Sequence, residues 1–359
     1  MIIKDIETFQ LAVPLTKPFK TALRTVVTAE SVIVKVTCDS GIIGFGEAPP
    51  THVITGDSLA GIQGAIETVF KPYLLGKNLI NYEAVFQGLH AALIGNSSAK
   101  AAVDMALYDC LAQYSGLPLY QYLGGYKDRI ETDFTVSVNS PEEMGEDAKR
   151  YIADGFRVLK VKVGKGDVEK DLARIRAIRE AAGPDVKLRL DANQGWSVKE
   201  AVAIIRKMED MQLGIELIEQ PVHHADIRGM KAVTDAVDTL IMADESVFSP
   251  ADAFEVLRTR SADLINIKLM KAGGIYQALI INRMAEACGV ECMVGSMIET
   301  RLGITAAAHF AAGQKNITRF DFDAPLMLAK DPVQGGIRYE GRHISFPETS
   351  GLGISAIIS

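Results

Sequence analysis

The chain is short of several things, and each shortage removes a class of function. Among 359 residues there are four cysteines, Cys38, Cys110, Cys288 and Cys292, too few and too scattered for a disulfide framework. Cys288 and Cys292 stand four apart, but no zinc-ligand pattern surrounds them, so all four are expected to pack as buried free thiols. Positive charge is also scarce: 38 Lys and Arg against 45 Asp and Glu leave a formal charge of −7 and a pI near 5.5. Nucleic acid, which demands clustered cations in excess, is excluded as a partner. No apolar run reaches the roughly 18 to 20 residues of a membrane span, and the opening MIIKDIETF lacks the basic-then-apolar build of a secretion signal. The expectation is a cytoplasmic protein with no membrane partner. No solenoid repeat or low-complexity tract is visible, and the six histidines fall in no catalytic pattern.

What is present is a change of texture along the chain. Stretches 2–14, 30–39 and 42–47 alternate like strands of an antiparallel meander, and 58–75, 82–94 and 98–115 carry apolar residues at helical steps. This is an α+β domain. From Thr132 onward eight strand-like segments, TDFTVSV, FRVLKVKV, VKLRLDA, IELIEQ, LIMADE, LINIKL, ECMVGS and ITRFDFD, alternate with helical ones. Ser140 is placed to cap one helix, with Pro141 at its first position and Glu142 and Glu143 in its first turn. Eight strands separated by helices predict a closed parallel barrel, with the chemistry at the C-terminal strand ends. After Asp323 only loops and short strands follow, expected to pack back on the first domain.

Three acids close consecutive strand segments, Asp191, Glu219 and Asp244, with Lys160 and Lys162 before them and Lys268 after. The steps from Lys162 through these acids to Lys268 are 29, 28, 25 and 24 residues, about one strand-plus-helix unit each. Any one acid alone reads as a helix cap or turn residue, but three at equivalent strand ends read as a metal site. Their hard oxygens suit Mg²⁺, with Mn²⁺ possible, rather than zinc. Lys160 and Lys162, at i and i+2, leave one face of their strand, either the barrel interior or the helix layer.

With the motifs KVK (160–162), LDANQGW (190–196), IEQP (218–221), ADES (243–246) and KLMKAGG (268–274), the chain resembles the enolase superfamily, and within it the muconate-lactonizing subgroup, over its whole length. The resemblance implies a (β/α)7β modified TIM barrel over 126–323. It also implies an α+β capping domain over 1–125 with lid loops at about 15–28 and 48–58, completed by the tail 324–359. It implies Asp191, Glu219 and Asp244 as ligands of Mg²⁺, Asn193 behind them, and removal of a proton next to a carboxylate. Lys162 and Lys268 would be the two bases, on opposite faces of one carbon, and Lys160 the cation that helps depress Lys162.

Asp321 and Asp323 on the last strand resemble the pair that receives a substrate ammonium in dipeptide epimerases. Arg24 in the first lid would meet a distal carboxylate, and Thr135, Ser296 and Ile298 would line the pocket. The implied reaction is epimerisation of L-Ala-D-Glu and L-Ala-L-Glu in peptidoglycan (murein) peptide metabolism, by a homo-oligomer acting on a small dipeptide. An N-succinylamino acid racemase or o-succinylbenzoate synthase would use the same lysines and metal but has no ammonium to place. A Schiff-base aldolase would use a barrel lysine as a nucleophile, and a noncatalytic acid-binding barrel would keep six buried charges at a cost.

Overall fold

β-Branched and apolar residues at alternate positions make the first strands long. In the computed structural model, which describes residues 1–166 and 168–358, β1 (Ile3–Lys20), β2 (Thr25–Cys38) and β3 (Ile43–Ala48) form an antiparallel sheet. The stretch expected as a lid loop at 15–28 is instead mostly the far end of the β1–β2 hairpin. After a register break between Pro14 and Phe19, pairing resumes at Phe19 with Val26 and Lys20 with Thr25. Thr25, Val26, Val27 and Thr28 favour extended backbone, so only 21–24 remain as a turn. Thr21 closes it, its Oγ1 accepting from the backbone N–H of Leu23 and Arg24.

Helix α1 (Ser97–Ser115), nearly all buried, packs on this sheet and stops at Gly116, whose φ of 72° is the left-handed cap. Gly44 and Gly46 of β3 lie so close to the α1 backbone at Ala106 and Ala102 that any Cβ would collide with it. The helical stretch 58–75 is interrupted by a π-helical turn, Ile66–Phe70, ahead of Pro72. Pro72 has no N–H for the usual bond four residues back, and the ladder widens there.

The barrel strands are β4 (Phe134–Val136), β5 (Val158–Lys162), β6 (Lys187–Asp191), β7 (Ile215–Glu219), β8 (Leu240–Ala243), β9 (Leu264–Lys268), β10 (Glu291–Gly295) and β11 (Ile317–Phe320). They lie side by side in chain order in one parallel sheet. The two edges meet, since Asp133 N–H donates to Phe320 O and Phe322 N–H to Thr132 Oγ1. The long crossovers are α2 (Pro141–Ala153), α3 (Val168–Ala182), α4 (Val198–Asp210), α5 (Ile227–Thr234), α6 (Pro250–Thr259), α7 (Ile275–Ala287) and α8 (Arg301–Gly313). Ser140 caps α2, accepting from Glu143 N–H.

Leu217, Met242, Leu264 and Met293 form an apolar cluster separate from the main core. Each stands an even number of residues before Glu219, Asp244, Lys268 or Gly295, so all share the inward face and floor the site. The tail returns to the first domain: Ala329 N–H donates to Pro14 O and Leu352 N–H to Asp109 Oδ1. Cys38, Cys110 and Cys292 are buried, but Cys288 is exposed, contrary to expectation, because it sits at the C-terminal end of α7 where the chain turns outward. Among the described residues no helix is long and apolar enough to cross a membrane.

Candidate active site

Lys160 and Lys162 point into the barrel, at 1% and 6% exposure, which decides between the two faces left open by the sequence. Parallel register sets Lys162 beside Asp191 and Asp191 beside Glu219, while Asp244 directly follows β8 and Lys268 ends β9. Strand pairing therefore converts the 24- to 29-residue periodicity into one ring of charges. Lys160 Nζ lies 2.8 Å from both Glu219 Oε2 and Asp321 Oδ2 and 3.3 Å from Asp191 Oδ2. Lys162 Nζ is 2.5 Å from Asp191 Oδ2, and Lys268 Nζ is 2.6 Å from Asp244 Oδ2. Asn266 Nδ2 donates to Glu219 Oε1 at 2.8 Å.

Burial opposes the charge on Lys160, yet Asp321, Glu219 and Asp191 hold the amine well above its usual range. Lys268 behaves alike: burial lowers it, and Asp244 and Glu219 lift it above normal. For Lys268, the depression that proton abstraction requires is thus absent while Asp244 pairs with its amine. Asp244, although buried, is held well below the carboxylate range by Lys268 and Lys271. Burial and then Asp191 push Glu219 up to about 7, and burial and Asp244 push Glu245 up to about 8.

Lys160, Lys162, Lys268, Arg24, Thr135, Asn193, Ser296, Ile298, Asp321 and Asp323 line a single pocket, and Asp191, Glu219 and Asp244 lie behind the lysines with almost no exposure. Arg24 is half-buried and has no acidic partner among the described residues. Asp321 and Asp323 fall just past β11 and are buried, not solvated at the rim. Asp323 Oδ2 accepts from Thr135 N–H at 2.6 Å, and burial and Asp321 raise Asp323 to about 7. Asn193 N–H donates to Asp191 Oδ1, and its Nδ2 to Glu245 Oε1.

Several contributors escaped the sequence reading. Lys271, fully buried, pairs with Asp244 Oδ1 at 2.7 Å and donates to the carbonyls of Asp244, Val247 and Asn266. Its signal was its place in KLMKAGG, three residues after Lys268. Glu245, in ADES, lines the pocket beside Asn193, and Phe19 puts its ring 5.9 Å from Lys162 Nζ.

Among the described residues no three acids stand as a ready cage by themselves, because lysine amines lie between them. The donor set nevertheless fits a hard divalent cation. Asp191, Glu219 and Asp244 converge on a place already favourable to positive charge, and all their donors are oxygen. Six buried carboxyls, those three with Glu245, Asp321 and Asp323, face four buried amines, Lys160, Lys162, Lys268 and Lys271, and a cation among them would favour the ionised forms of Glu219 and Glu245, which burial and neighbouring acids push up. Asn193 Oδ1 and Glu245 Oε2 are buried beside these acids with no hydrogen-bond partner among the described residues.

Comparison with known proteins agrees with this architecture. Residues 4–124 match the mandelate racemase / muconate lactonizing enzyme N-terminal domain, and 143–356 match the enolase C-terminal domain-like family. An L-Ala-D/L-Glu epimerase of Bacillus subtilis (strain 168) is 69% identical over 99% of this chain and 97% of its own. The solved structure of a substrate-liganded complex of the Bacillus subtilis L-Ala-D/L-Glu epimerase superposes with TM-score 0.99 at 68% identity, covering 100% of both chains. A dipeptide epimerase from Enterococcus faecalis V583, solved with Mg and the dipeptide L-Leu-L-Tyr, gives TM-score 0.95 at 46% identity over 99% of this chain and 100% of that one.

Proposed function

The chain belongs to the mandelate racemase / muconate lactonizing enzyme family, and from that premise we propose that it epimerises dipeptides at the Cα of the C-terminal residue, interconverting L-Ala-D-Glu and L-Ala-L-Glu with Mg²⁺. The observation that carries this reading is the placement of Lys162 and Lys268, four strands apart in the barrel, on one pocket that also holds Arg24, Asp321 and Asp323.

The amines do the proton work. One lysine takes the Cα proton from one face and the other returns a proton to the opposite face, inverting the centre with no net change in atoms. A Cα–H beside a carboxylate is very weakly acidic, because loss of the proton places two negative charges on the resulting enediolate. Asp191, Glu219 and Asp244 would hold Mg²⁺, which would supply charge stabilisation to the enediolate. Lys160, held cationic in the middle of the ring by Asp321, Glu219 and Asp191, adds a fixed positive charge beside the reacting carbon.

The rest of the pocket orients the substrate. Asp321 and Asp323 receive the N-terminal ammonium, whose charge favours the ionised form of Asp323. Arg24, half-buried and with no acidic partner among the described residues, takes the glutamate side-chain carboxylate. An N-succinylated substrate would instead bring its acyl group, and no cation, to two buried carboxyls. L-Ala-D-Glu is a murein peptide fragment, and the proposed role is therefore in murein peptide metabolism, in the cytoplasm.

The direct experiment is ¹H NMR of L-Ala-L-Glu incubated with the protein and Mg²⁺ in D₂O. Loss of the glutamyl Cα signal with appearance of L-Ala-D-Glu is expected. An unexchanged, unconverted dipeptide would overturn the reading.

A further inference from the structure

The pocket has two walls that belong to different domains. One is the segment Ser296–Ile298 between β10 and α8, and the other contains Val53 and Ile54, in the lid that begins at the end of β3. A single buried side chain touches the roots of both. Glu47, in β3 immediately before that lid, has no exposed surface and accepts four hydrogen bonds. Oε1 accepts from Ser31 Oγ at 2.6 Å and Thr300 N–H at 2.9 Å, and Oε2 from Thr300 Oγ1 at 2.6 Å and Gly303 N–H at 2.8 Å.

Thr300 is the N-cap of α8, so a carboxylate from the capping sheet finishes the helix that ends the Ser296–Ile298 wall. The wall's other end is tied to the barrel, with Gly295 in register with Lys268. Glu299 completes the joint, its Oε1 accepting from Met297 N–H at 2.8 Å. Burial and Glu47 push Glu299 up to about 8, so it faces Glu47 as a neutral acid. Gly303 leaves room for both carboxyls, and a Cβ there would run into their oxygens.

We propose that Glu47 is a positioning residue for substrate selectivity: it joins the 48–58 lid to the Ser296–Ile298 wall and so sets the width of the pocket around the substrate. This rests on the dipeptide reading above. The bases and the metal-holding acids lie on β5 to β9 or directly after them, so a change at this joint alters substrate fit more than proton transfer.

A comparison within the fold separates this role from simple support. Asp104, on α1, makes the same kind of cross-domain cap, accepting from Ile275 N–H and Tyr276 N–H at the start of α7. The residues it holds are absent from the pocket lining.

The test is steady-state kinetics of Glu47→Gln with L-Ala-L-Glu and L-Ala-L-Leu, beside thermal melts. The amide turns one acceptor oxygen into a donor facing buried donors, a mismatch worth about 1–3 kcal/mol, or roughly 5- to 150-fold. KM for L-Ala-L-Glu is expected to rise about tenfold with kcat within about threefold, and the preference between the two dipeptides to change. Asp104→Asn should lower Tm with KM and preference as in the parent. Gly303→Ala, which disturbs the same carboxyls from the helix side, should reproduce the Glu47→Gln kinetics and decides the matter if Glu47→Gln does not fold. A lowered Tm with parental KM and preference in Glu47→Gln or Gly303→Ala would overturn the proposal. Turnover of L-Ala-L-Glu by the parent protein tests the underlying reading separately.

Discussion

Lys268 Nζ lies 2.6 Å from Asp244 Oδ2, so one hydrogen bond joins a proposed base to a proposed metal-holding acid. An ammonium and a divalent cation therefore draw on the same carboxylate, and acid–base state and metal binding are linked at this point.

Metal removal is the first consequence. EDTA should lower epimerase activity by at least about a hundredfold, and excess Mg²⁺ should restore it. Mg²⁺ at about 100 times its Kd should stabilise the protein by about 2.7 kcal/mol, seen as a rise in Tm. Asp244→Asn should lose that rise. Full activity after exhaustive chelation would end the metal assignment.

Two opposed amines predict separable half-reactions. Lys162→Ala and Lys268→Ala should each lower epimerisation by about 10²–10⁴-fold, the usual range for a positioned acid–base group. Each variant should still exchange solvent deuterium into one stereoisomer, and the two should differ in which. Exchange into the same isomer by both variants would contradict the two-face arrangement.

Arg24 should govern the charge of the C-terminal side chain. A charge-assisted pair in a desolvated pocket contributes about 1.5–3 kcal/mol, so Arg24→Met should lower kcat/KM for L-Ala-L-Glu by about 10- to 150-fold. The loss for L-Ala-L-Leu should be far smaller. Equal losses for both substrates remove Arg24 from the specificity argument.

The ammonium-receiving pair gives a converse test. Asp321→Asn should weaken turnover of L-Ala-L-Glu much more than any residual turnover of an N-succinylated glutamate, because only the dipeptide brings a cation to that site. A variant that lost both equally would point to a structural role for the Asp321–Lys160 contact.

Acid stability should carry the signature of His309. Its Nδ1 accepts from Tyr120 N–H at 2.9 Å, and burial pulls its pKa down to about 3. The unfolded histidine titrates near 6.5, so the stabilisation is whole above that pH and is lost as pH falls toward about 3. Through that window the loss approaches about 1.4 kcal/mol per pH unit. Urea unfolding of His309→Gln at pH 7, 6 and 5 should show a shallower decline than the parent. Parallel declines would mean that His309 is protonated in the fold.

Much of this site was legible in one dimension. Period-2 and helical patterns are local, and a parallel barrel repeats its strand-helix unit at nearly constant length, so Asp191, Glu219, Asp244 and Lys268 announced themselves by spacing and by position at strand ends. Whether Lys160 and Lys162 faced the interior was not legible, since a two-residue step names a shared face but not which one. The resemblance gave 15–28 as a loop, whereas Phe19 pairs with Val26 across a four-residue turn, a contact that no local periodicity announces.

The amino-acid sequence alone thus determined the element order, the barrel and the ring of acids and lysines, because covalent spacing and side-chain periodicity carry that information. Tertiary structure decided which charge answers which. Lys160 meets Asp321 across 161 residues, Glu47 reaches Thr300 across 253, and Lys271 closes on Asp244 from a short helix. Those pairings arise only when the sheet closes and water is excluded, for it is burial that makes an unpartnered charge too costly to keep and so selects its partner.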